Sequence, residues 1–299
     1  MTGVQTCALP ICGFRKGFST QHTLLVMIEK MKTACDNKQL CAAILTDLSK
    51  AFDCICHDLL IAKLNAYGVD RNALKLVYYY LSDRSQKTKV GSSFSDYLDI
   101  IYGVPQGSIL GPLLFNIDLC DLFFEDYSSD FANYADDTTP YECGPTLNEV
   151  MNNLEITTEK MFEWFSFNNL KANASKCHLF LSPYQPFPVN IKGSIIESSN
   201  CEKLLGIYID SNFSFEYHIN RICRKASQKL HALSRIAKFS SENKKRMLFK
   251  SFIISQFNYC PIVWMCHGRG LNNKINNIHE RALRIVYQDK NQFRNFIKT

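Results

Sequence analysis

Apolar residues recur at helical spacing along much of the chain, and shorter apolar runs between these stretches have the length of strands. A helix is predicted from Ser19 or Thr20 to about Asp36, because its apolar positions recur every three or four residues. The next run, LCAAILT at residues 40–46, is uninterrupted and is typical of a buried strand. Asp47 follows this strand directly, so the strand delivers a carboxylate at its end.

The middle of the chain predicts more helices, two hairpins and two short strands. Strands that alternate with helices of unequal size favour an α+β fold with helices on one face of a small sheet. The predicted elements are helices at 57–68, ending at Gly68, at 73–83 and at about 146–167, a β-hairpin within 87–102, a loop and helix at 103–119, a hairpin at 131–141 with Asp136 and Asp137 at its turn, and strands at 176–182 and 203–210.

From Glu216 onward the chain becomes helical and basic. Residues 211–299 hold 17 Lys and Arg against 4 Asp and Glu, whereas residues 1–210 hold 17 against 24. A basic C-terminal third suits a phosphate backbone, although a solvated cationic surface explains such a run equally well by itself. The pattern predicts an amphipathic helix whose apolar stripe comprises Ile219, Ile222, Cys223, Ala226, Leu230, Leu233 and Ala237.

Composition narrows the class of protein. Hydrophobic residues make up 46% and charged residues 21%, which is typical of a globular protein and excludes a disordered or fibrous chain. No apolar run reaches the roughly 18 residues of a transmembrane helix. Residues 1–12 lack the basic start of a secretory signal and resemble translated sequencing-adaptor sequence. We therefore leave this segment out of the fold prediction and expect an N-terminally truncated chain.

The 13 cysteines do not form a recognisable metal or disulfide pattern. Their number is odd and no CxxC pair is present. Cys54 and Cys56 flank a single residue, but no second pair with zinc-site spacing accompanies them. We interpret most of the cysteines as buried small hydrophobic residues, and a structural zinc or redox site is the alternative.

Three acids lie in apolar surroundings, where a charged carboxylate costs free energy unless a cation is close to it. Asp47 ends a buried strand, and Asp136 and Asp137 are adjacent in an apolar hairpin, where they repel one another. Oxygen ligands of this kind favour Mg²⁺, and two ions about 3.5–4 Å apart support nucleotidyl transfer. The alternative is structural, because paired Asp residues are common in turns and an Asp after a strand can cap the next segment.

Three motifs, in order, resemble the palm motifs of reverse transcriptases, and their wording is most similar to that of jockey-type non-LTR retrotransposons. They are TDLSKAFD at 46–53, GVPQGSILGPLLF at 103–115 and YADD at 134–137. GFRKGFST at 13–20 resembles a fingers motif, CHDLLIAKLNAYGV at 56–69 the helix after the first palm motif, WFSFNNLKANASKC at 164–177 the fourth palm motif, and KLLGIYID at 203–210 the hairpin that grips the primer. The resemblance covers roughly residues 13–290.

The resemblance implies a role for each motif residue. Asp47 and Asp136 would be the principal ligands of two Mg²⁺ ions, or Mn²⁺ as a substitute, with help from the backbone carbonyl of Leu48, and Asp137 would lie close and contribute charge or coordination. Phe52 would lie under the sugar of the incoming nucleotide and exclude a 2′-hydroxyl group; an ordinary core aromatic is the alternative. Lys176 would be the general acid, and a surface lysine is the alternative. Gln106 would contact nucleotide or template, Arg15 and Lys16 would contact phosphate groups, and Arg84 would contact the template. The backbone of the primer–template duplex would be contacted by Arg221, Arg224, Lys225 and Lys229.

The implied architecture is a right-hand polymerase: partial fingers and a palm at 13–210 and a helical basic thumb at 211–299. Its implied activity is RNA-directed DNA synthesis from deoxynucleoside triphosphates on an RNA template and a DNA primer, in the cytoplasm, the nucleus or both. Neither a membrane nor an obligate protein partner is implied. In this family a further fingers segment usually precedes the GFRKGFST motif, and residues 1–12 do not resemble it. An endonuclease domain usually lies further upstream. An inactive remnant that retains nucleic-acid binding is therefore the alternative.

Overall fold

The structure is a computed structural model that describes residues 10–265 and 268–287. The chain divides into two compact units, Met1–Asn200 and Cys201–Thr299. The division lies ten residues before the boundary predicted from the sequence, so the hairpin at 201–210 belongs to the second unit. Most of the segment set aside as adaptor-like, residues 1–9, lies outside the described residues.

The first unit contains five α-helices and twelve strands within the described residues. The helices are α1 Thr20–Asp36, α2 His57–Ala66, α3 Arg71–Leu81, α4 Leu110–Leu119 and α5 Leu147–Phe167. The strands are β1 Leu40–Leu45, β2 Leu48–Ser49, β3 Ser85–Gln86, β4 Lys89–Val90, β5 Ser93–Phe94, β6 Leu98–Asp99, β7 Asp130–Tyr134, β8 Asp137–Gly144, β9 Lys171–Ala172, β10 His178–Ser182, β11 Pro188–Ile191 and β12 Ser194–Ser199.

A six-stranded sheet in the order β11-β12-β10-β1-β8-β7 forms the centre of this unit. Each neighbouring pair is antiparallel except β10 and β12, which run parallel. Strand β1 lies between β8 and β10 and is buried along almost its whole length, as its uninterrupted apolar run predicts. Helices α1 and α5 pack on β1 and β8 and contribute apolar side chains to the core. The predicted α+β class is confirmed.

Several predicted elements match the structure closely. Helix α1 begins after Ser19 and ends at Asp36, and α2 is followed by Gly68 at φ +82°. The hairpin predicted within 87–102 lies at 85–99 and consists of two nested antiparallel pairs, β3 with β6 and β4 with β5. The thumb-like helix also begins at Glu216, where the pattern places it.

Three expectations differ from the structure. KLLGIYID is not the single strand that its apolar pattern predicts but a hairpin, as the resemblance implies, because Leu205 at φ +46° and Gly206 at φ +87° reverse the chain within it. Strands β11 and β12 are absent from the prediction; prolines at 183, 186 and 188 interrupt the apolar pattern up to the first residue of β11, whereas β12 contains none. The expectation that most cysteines are buried is wrong: all eleven described cysteines are free thiols, but only Cys41, Cys177, Cys223 and Cys260 are buried and the rest are partly exposed.

The second unit is mainly helical. A two-stranded hairpin precedes its long helix, and Asp210 at the end of this hairpin accepts hydrogen bonds from the backbone N–H groups of Ser214 (3.0 Å) and Phe215 (2.6 Å). The elements are β13 Cys201–Leu204, β14 Ile207–Asp210, α6 Glu216–Ala237, α7 Glu242–Phe249, α8 Ser255–Phe257, α9 Pro261–Trp264 and α10 Arg269–Val286. The apolar stripe predicted for α6 is buried throughout. In the described part of the chain, no helix is long and apolar enough to cross a membrane.

Candidate functional site

Asp47 lies two residues beyond β1, at the edge of the sheet where β8 begins. The hydroxyl group of Thr46 donates to the carbonyl oxygen of Thr138, which ties the end of β1 to the start of β8. The carbonyl oxygen of Asp47 accepts a hydrogen bond from the backbone N–H of Asn173 (3.2 Å). The position of Asp47 is therefore fixed by its backbone, while its side chain is about half exposed at 48%.

Asp136 and Asp137 lie at the connection between β7 and β8. Tyr134 pairs with Asp137, so only Ala135 and Asp136 form the turn. The prediction that both acids occupy the turn is thus correct for Asp136, whereas Asp137 is the first residue of β8. Because Thr138 follows Asp137 and is tied to Thr46, the turn lies at the same edge of the sheet as Asp47.

The three acids influence one another electrostatically. Desolvation of the Asp137 carboxyl group, aided by the negative charges of Asp136 and Asp47, raises the pKa of Asp137 to about 6. Because Asp47 and Asp136 both affect the Asp137 carboxyl group, the end of β1 and the turn before β8 bring their charges close together. A cation placed among them offsets this repulsion.

Lys176 is the cation that contacts this cluster. Its Nζ lies 3.1 Å from Oδ2 of Asp47, and the side chain is 58% exposed. The lysine is brought there by β9, which pairs with β2 so that Leu48 lies opposite Ala172. Leu48 itself is buried, and its backbone is adjacent to the Asp47 carboxylate.

The donor set of the cluster suits a hard divalent cation, since it consists of carboxylate and carbonyl oxygens. Desolvation, and after it the charges of Asp136 and Asp47, raise the pKa of Asp137, so a nearby cation would favour the ionised form of this carboxyl group. Within the described residues, no group of three or more His, Cys, Asp and Glu side chains is already arranged around a metal position. The acids thus fit such an ion chemically, while Asp47 is paired with Lys176 in this structure.

Phe52 lies in a short 3₁₀ helix, Ala51–Asp53, five residues after Asp47. Its ring stacks on Phe115 at a centroid distance of 4.4 Å and an angle of 21°, and the ring of Phe14 meets it edge-on at 6.0 Å. Phe52 is only partly buried. It is therefore a rigidly supported aromatic ring with a free surface, not a fully enclosed core residue.

Gln106 lies in the loop before α4 and is bonded to the segment that carries Phe52. Its Nε2 donates to Oδ1 of Asp53 at 2.8 Å. The two loops approach closely at Gly103, where an added Cβ would lie 2.8 Å from Cα of Asp53 and 2.9 Å from the carbonyl oxygen of Phe52. Gly103 also has φ +83°, so both its space and its backbone conformation require glycine.

A cleft of about 630 Å³ lies beside this loop contact and brings Gln106 and Arg84 together with Lys50. Arg84 is exposed, and its guanidinium group donates to the carbonyl oxygen of Tyr80 at 3.2 Å. A larger cleft of about 710 Å³ adjoins β9, and none of the residues that line it is a predicted site residue. Of the predicted site residues, Gln106 and Arg84 line the smaller cleft, whereas the three acids and Lys176 line neither of these two clefts.

The remaining predicted site residues do not join the acids. Arg15 places its guanidinium group 4.5 Å above the ring of Phe18, within its own segment. In the second unit, Arg221, Arg224 and Lys225 are exposed on α6 and Lys229 is half-buried. The guanidinium group of Arg221 also lies 5.0 Å from the ring centroid of Tyr208.

Asn133 and Gly13 contact the acid-bearing turn and were not singled out in the sequence. Asn133 is a polar residue at a buried strand position, which is the signal that marks it. A Cβ added at Gly13 would lie 2.3 Å from the backbone nitrogen of Ala135. Its closeness could not be read from the sequence, because 122 residues separate the two positions.

Comparisons with known proteins place the chain in a family. A family profile described as reverse transcriptase (RNA-dependent DNA polymerase) matches residues 2–217. A probable RNA-directed DNA polymerase from transposon BS of Drosophila melanogaster is 28% identical over 92% of this chain and 32% of its own length. The RNA-directed DNA polymerase from mobile element jockey of the same organism is 26% identical over 92% of this chain and 31% of its own length. The chain therefore spans about a third of the length of these curated relatives.

Among solved structures, a telomerase from Candida albicans in complex with a fragment of telomeric RNA is similar in fold. The TM-score is 0.51 at 10% identity, over 93% of this chain and 53% of that one. At this identity the likeness concerns the fold alone.

Proposed function

Because the chain belongs to the reverse transcriptase (RNA-dependent DNA polymerase) family, we propose that it extends a DNA primer on an RNA template through the cluster of Asp47, Asp136 and Asp137. The observation that supports the proposal is the position of these acids at one edge of the sheet: Thr46, next to Asp47, is hydrogen-bonded to Thr138, next to Asp137, and Asp136 lies in the adjoining turn. The jockey-type relatives are named as RNA-directed DNA polymerases. The template, primer and nucleotide assignments for this chain belong to the proposal.

The family generally uses divalent metal ions, and the acids are the residues that would hold them here, together with the backbone carbonyl of Leu48. Two bound Mg²⁺ ions, or Mn²⁺ in their place, would activate the primer 3′-hydroxyl group and stabilise the leaving phosphate oxygen. Asp47 reaches such a position by separating from Lys176, whose side chain is 58% exposed. A separated Lys176 is free to donate a proton to the departing pyrophosphate.

Phe52 and Gln106 are proposed to bind the incoming deoxynucleotide. The ring of Phe52 is held flat on Phe115, so it cannot easily turn away from a sugar placed against its free surface. A 2′-hydroxyl group there would collide with the ring. Gln106 is positioned by Asp53, and the cleft that it shares with Arg84 offers a place for nucleotide or template.

Phosphate contacts are proposed for the remaining cations. Arg15 would approach a phosphate group from the fingers-like segment. The cations of α6, namely the exposed Arg221, Arg224 and Lys225 and the half-buried Lys229, would hold the primer–template backbone, and this binding would weaken as salt concentration rises. The charge of the C-terminal region, with 17 Lys and Arg against 4 Asp and Glu in residues 211–299, supports this proposal.

The test is primer extension by the purified chain with Mg²⁺, an RNA template, a labelled DNA primer and deoxynucleoside triphosphates. Asp47→Asn and Asp136→Asn should each lower incorporation at least about a hundredfold, because each removes a ligand that stabilises transition-state charge. Asp96→Asn, which changes an exposed acid on the short hairpin, is the matched control and should leave incorporation unchanged. Unchanged synthesis in both site variants would show that the mechanism is wrong.

Primer–template binding, measured by fluorescence anisotropy, separates the proposed polymerase from an inactive remnant. A remnant binds the duplex with the salt dependence of a phosphate-binding surface and incorporates no nucleotide. Loss of binding in a variant that replaces Arg221, Arg224 and Lys225 with Gln, without loss of helical signal, supports the role of α6. An unchanged affinity contradicts it.

A further inference from the structure

The turn that carries Asp136 adopts a conformation that its own sequence does not favour. Ala135 has φ +57°, in the left-handed region that residues with a Cβ seldom occupy. Two-residue hairpin turns normally place Gly, Asn or Asp where φ is positive. A backbone of this kind persists where the surrounding contacts determine it. The contacts of this turn therefore decide where the Asp136 carboxylate lies.

The buried side chain of Asn133 contacts the turn from its inner side. Asn133 is fully buried, and its Nδ2 lies 3.1 Å from the carbonyl oxygen of Ala135 and 2.8 Å from the hydroxyl oxygen of Thr138. The carbonyl oxygen of Asp137 lies 3.4 Å from the same Nδ2. These acceptors stand before and after Asp136 in the chain, so one amide group ties the two sides of the turn together.

The backbone of Gly13, which is buried, packs against the backbone of the turn. A Cβ added at Gly13 would lie 2.3 Å from the backbone nitrogen of Ala135, 3.0 Å from its Cα and 3.2 Å from the carbonyl carbon of Tyr134. All three neighbours are backbone atoms, so no side-chain rotation relieves the collision. Gly13 does not have a positive φ. Close approach, and not backbone conformation, is what requires glycine here.

Gly13 is itself anchored on two sides. The Nδ2 of Asn116, in α4, donates to the carbonyl oxygen of Gly13 at 2.7 Å. On the other side, the backbone N–H of Cys12 donates to the carbonyl oxygen of Asn133 at 3.3 Å. Helix α4 and strand β7 thus hold the glycine against the turn, and the contact from β7 involves backbone atoms alone.

We propose that Gly13 and Asn133 are positioning residues for Asp136, which together hold the Ala135–Asp136 turn while Asn116 anchors the glycine. The consequence for the reaction rests on the proposed function, in which Asp136 is a metal ligand. Gly13 and Asn133 act through the turn and touch neither substrate nor metal. A side chain at position 13 displaces the turn and moves the Asp136 carboxylate away from Asp47.

The test compares Gly13→Ala and Asn116→Ala with Gly17→Ala in the full chain. Gly17 lies in the same segment and has no heavy atom within 4 Å of an added Cβ, but its φ is +84°, so its substitution strains the local backbone without a collision at the turn. Hydrogen–deuterium exchange is measured by mass spectrometry in peptides that cover 131–139 and, as an internal reference, α5. The affinity for Mn²⁺ is measured by calorimetry on the same samples.

Gly13→Ala should speed exchange in the turn peptide about tenfold while exchange in α5 stays unchanged, because only the local opening of the turn becomes easier. It should also weaken Mn²⁺ binding about tenfold, the size of effect typical of residues that orient a ligand. Asn116→Ala should change both in the same direction and by less, and it keeps the test decisive if Gly13→Ala does not fold. Gly17→Ala should change neither.

Turn exchange that is unchanged in Gly13→Ala and Asn116→Ala overturns the inference. So does faster exchange of the turn and α5 by one common factor, since that result describes a general loss of stability. If the wild-type chain binds no Mn²⁺, the proposed function fails, while the exchange of the turn, which involves no metal, still decides whether Gly13 holds it.

Discussion

Two ion pairs in the first unit share the same chemistry and differ in surroundings. Lys63 lies 3.2 Å from Asp118 and 3.0 Å from Asp121, with the Lys63 and Asp118 side chains only 12% and 3% exposed. Lys176 and Asp47, at 3.1 Å, are 58% and 48% exposed. The buried lysine is further held by the carbonyl oxygen of Asp118 and by the ring of Trp164, 4.6 Å away.

The difference shows which carboxylate is available to a ligand. Burial raises the pKa of Asp118 although Lys63 acts in the opposite direction, so the buried charge depends on its partner. That pair joins α2 and α4 and cannot separate without opening the core. Asp47 is solvated with or without its lysine, and it can exchange Lys176 for another cation at small cost.

Lys63→Met should have the largest effect on stability. Removing the lysine leaves Asp118 buried without its partner, which costs about 3–5 kcal/mol in the free energy of unfolding. Urea denaturation followed by circular dichroism measures the loss. The double variant Lys63→Met/Asp118→Asn is the control and should recover part of the stability. A loss below about 1 kcal/mol would place the buried pair in the same class as the exposed one.

A buried histidine extends the comparison to the second unit. Burial, with the positive charges of Lys225 and Arg221, lowers the pKa of His218 from 6.5 to about 4. Because the unfolded state takes up the proton first, the contribution of His218 is complete above pH 6.5 and is lost as the pH falls toward 4. The shift corresponds to about 3 kcal/mol.

The measurement is the free energy of unfolding between pH 7 and pH 4, for the wild-type chain and two variants. His218→Phe should flatten the profile, whereas His231→Gln, at an exposed histidine, should leave its slope unchanged. Equal slopes in wild type and His218→Phe would contradict the assignment, because they would show that other groups carry the pH dependence.

Lys176→Met should have the smallest effect on stability. The pair with Asp47 is exposed, so its loss should cost less than about 1 kcal/mol in urea denaturation. If Lys176 is the general acid, the same variant lowers the rate of single-nucleotide incorporation about a hundredfold or more. Lys171→Met, on the neighbouring strand β9, is the matched control for rate. A large loss of stability with an unchanged rate of incorporation would contradict the comparison, because it would show that the pair of Lys176 and Asp47 stabilises the fold and does not serve the reaction.

Patterns in the sequence predicted the elements that depend on local signals. The buried run of β1, the apolar stripe of α6 and the hairpin around Asp136 follow from periodicity and turn residues, and the structure confirms them. The hairpin within 201–210 was harder, because its turn begins with Leu205, whose left-handed φ of +46° carries no sequence signal. Strand β12 pairs with β10 in parallel, a long-range choice that no local pattern encodes.

The candidate site divides in the same way. Its acids were predicted from their places in motifs, while their surroundings depend on contacts between distant residues. The bond from Gln106 to Asp53 spans 53 positions, and the bond from Lys176 to Asp47 spans 129. Lys63 and Asp118 look like ordinary helix residues in the sequence, and only packing shows that both are buried.

The close contact at Gly103 has a consequence for engineering the chain. The backbone N–H of Gly103 donates to the carbonyl oxygen of Ile55 at 2.7 Å, and that of Val104 donates to Phe52 at 2.9 Å. These hydrogen bonds hold the two ends of segment 56–102 together, and α2, α3 and the short hairpin all lie between those ends in the sequence. A reporter or affinity tag inserted at the exposed hairpin tip, between Gly91 and Ser92, lengthens only segment 56–102 and leaves Phe52 and Gln106 in place.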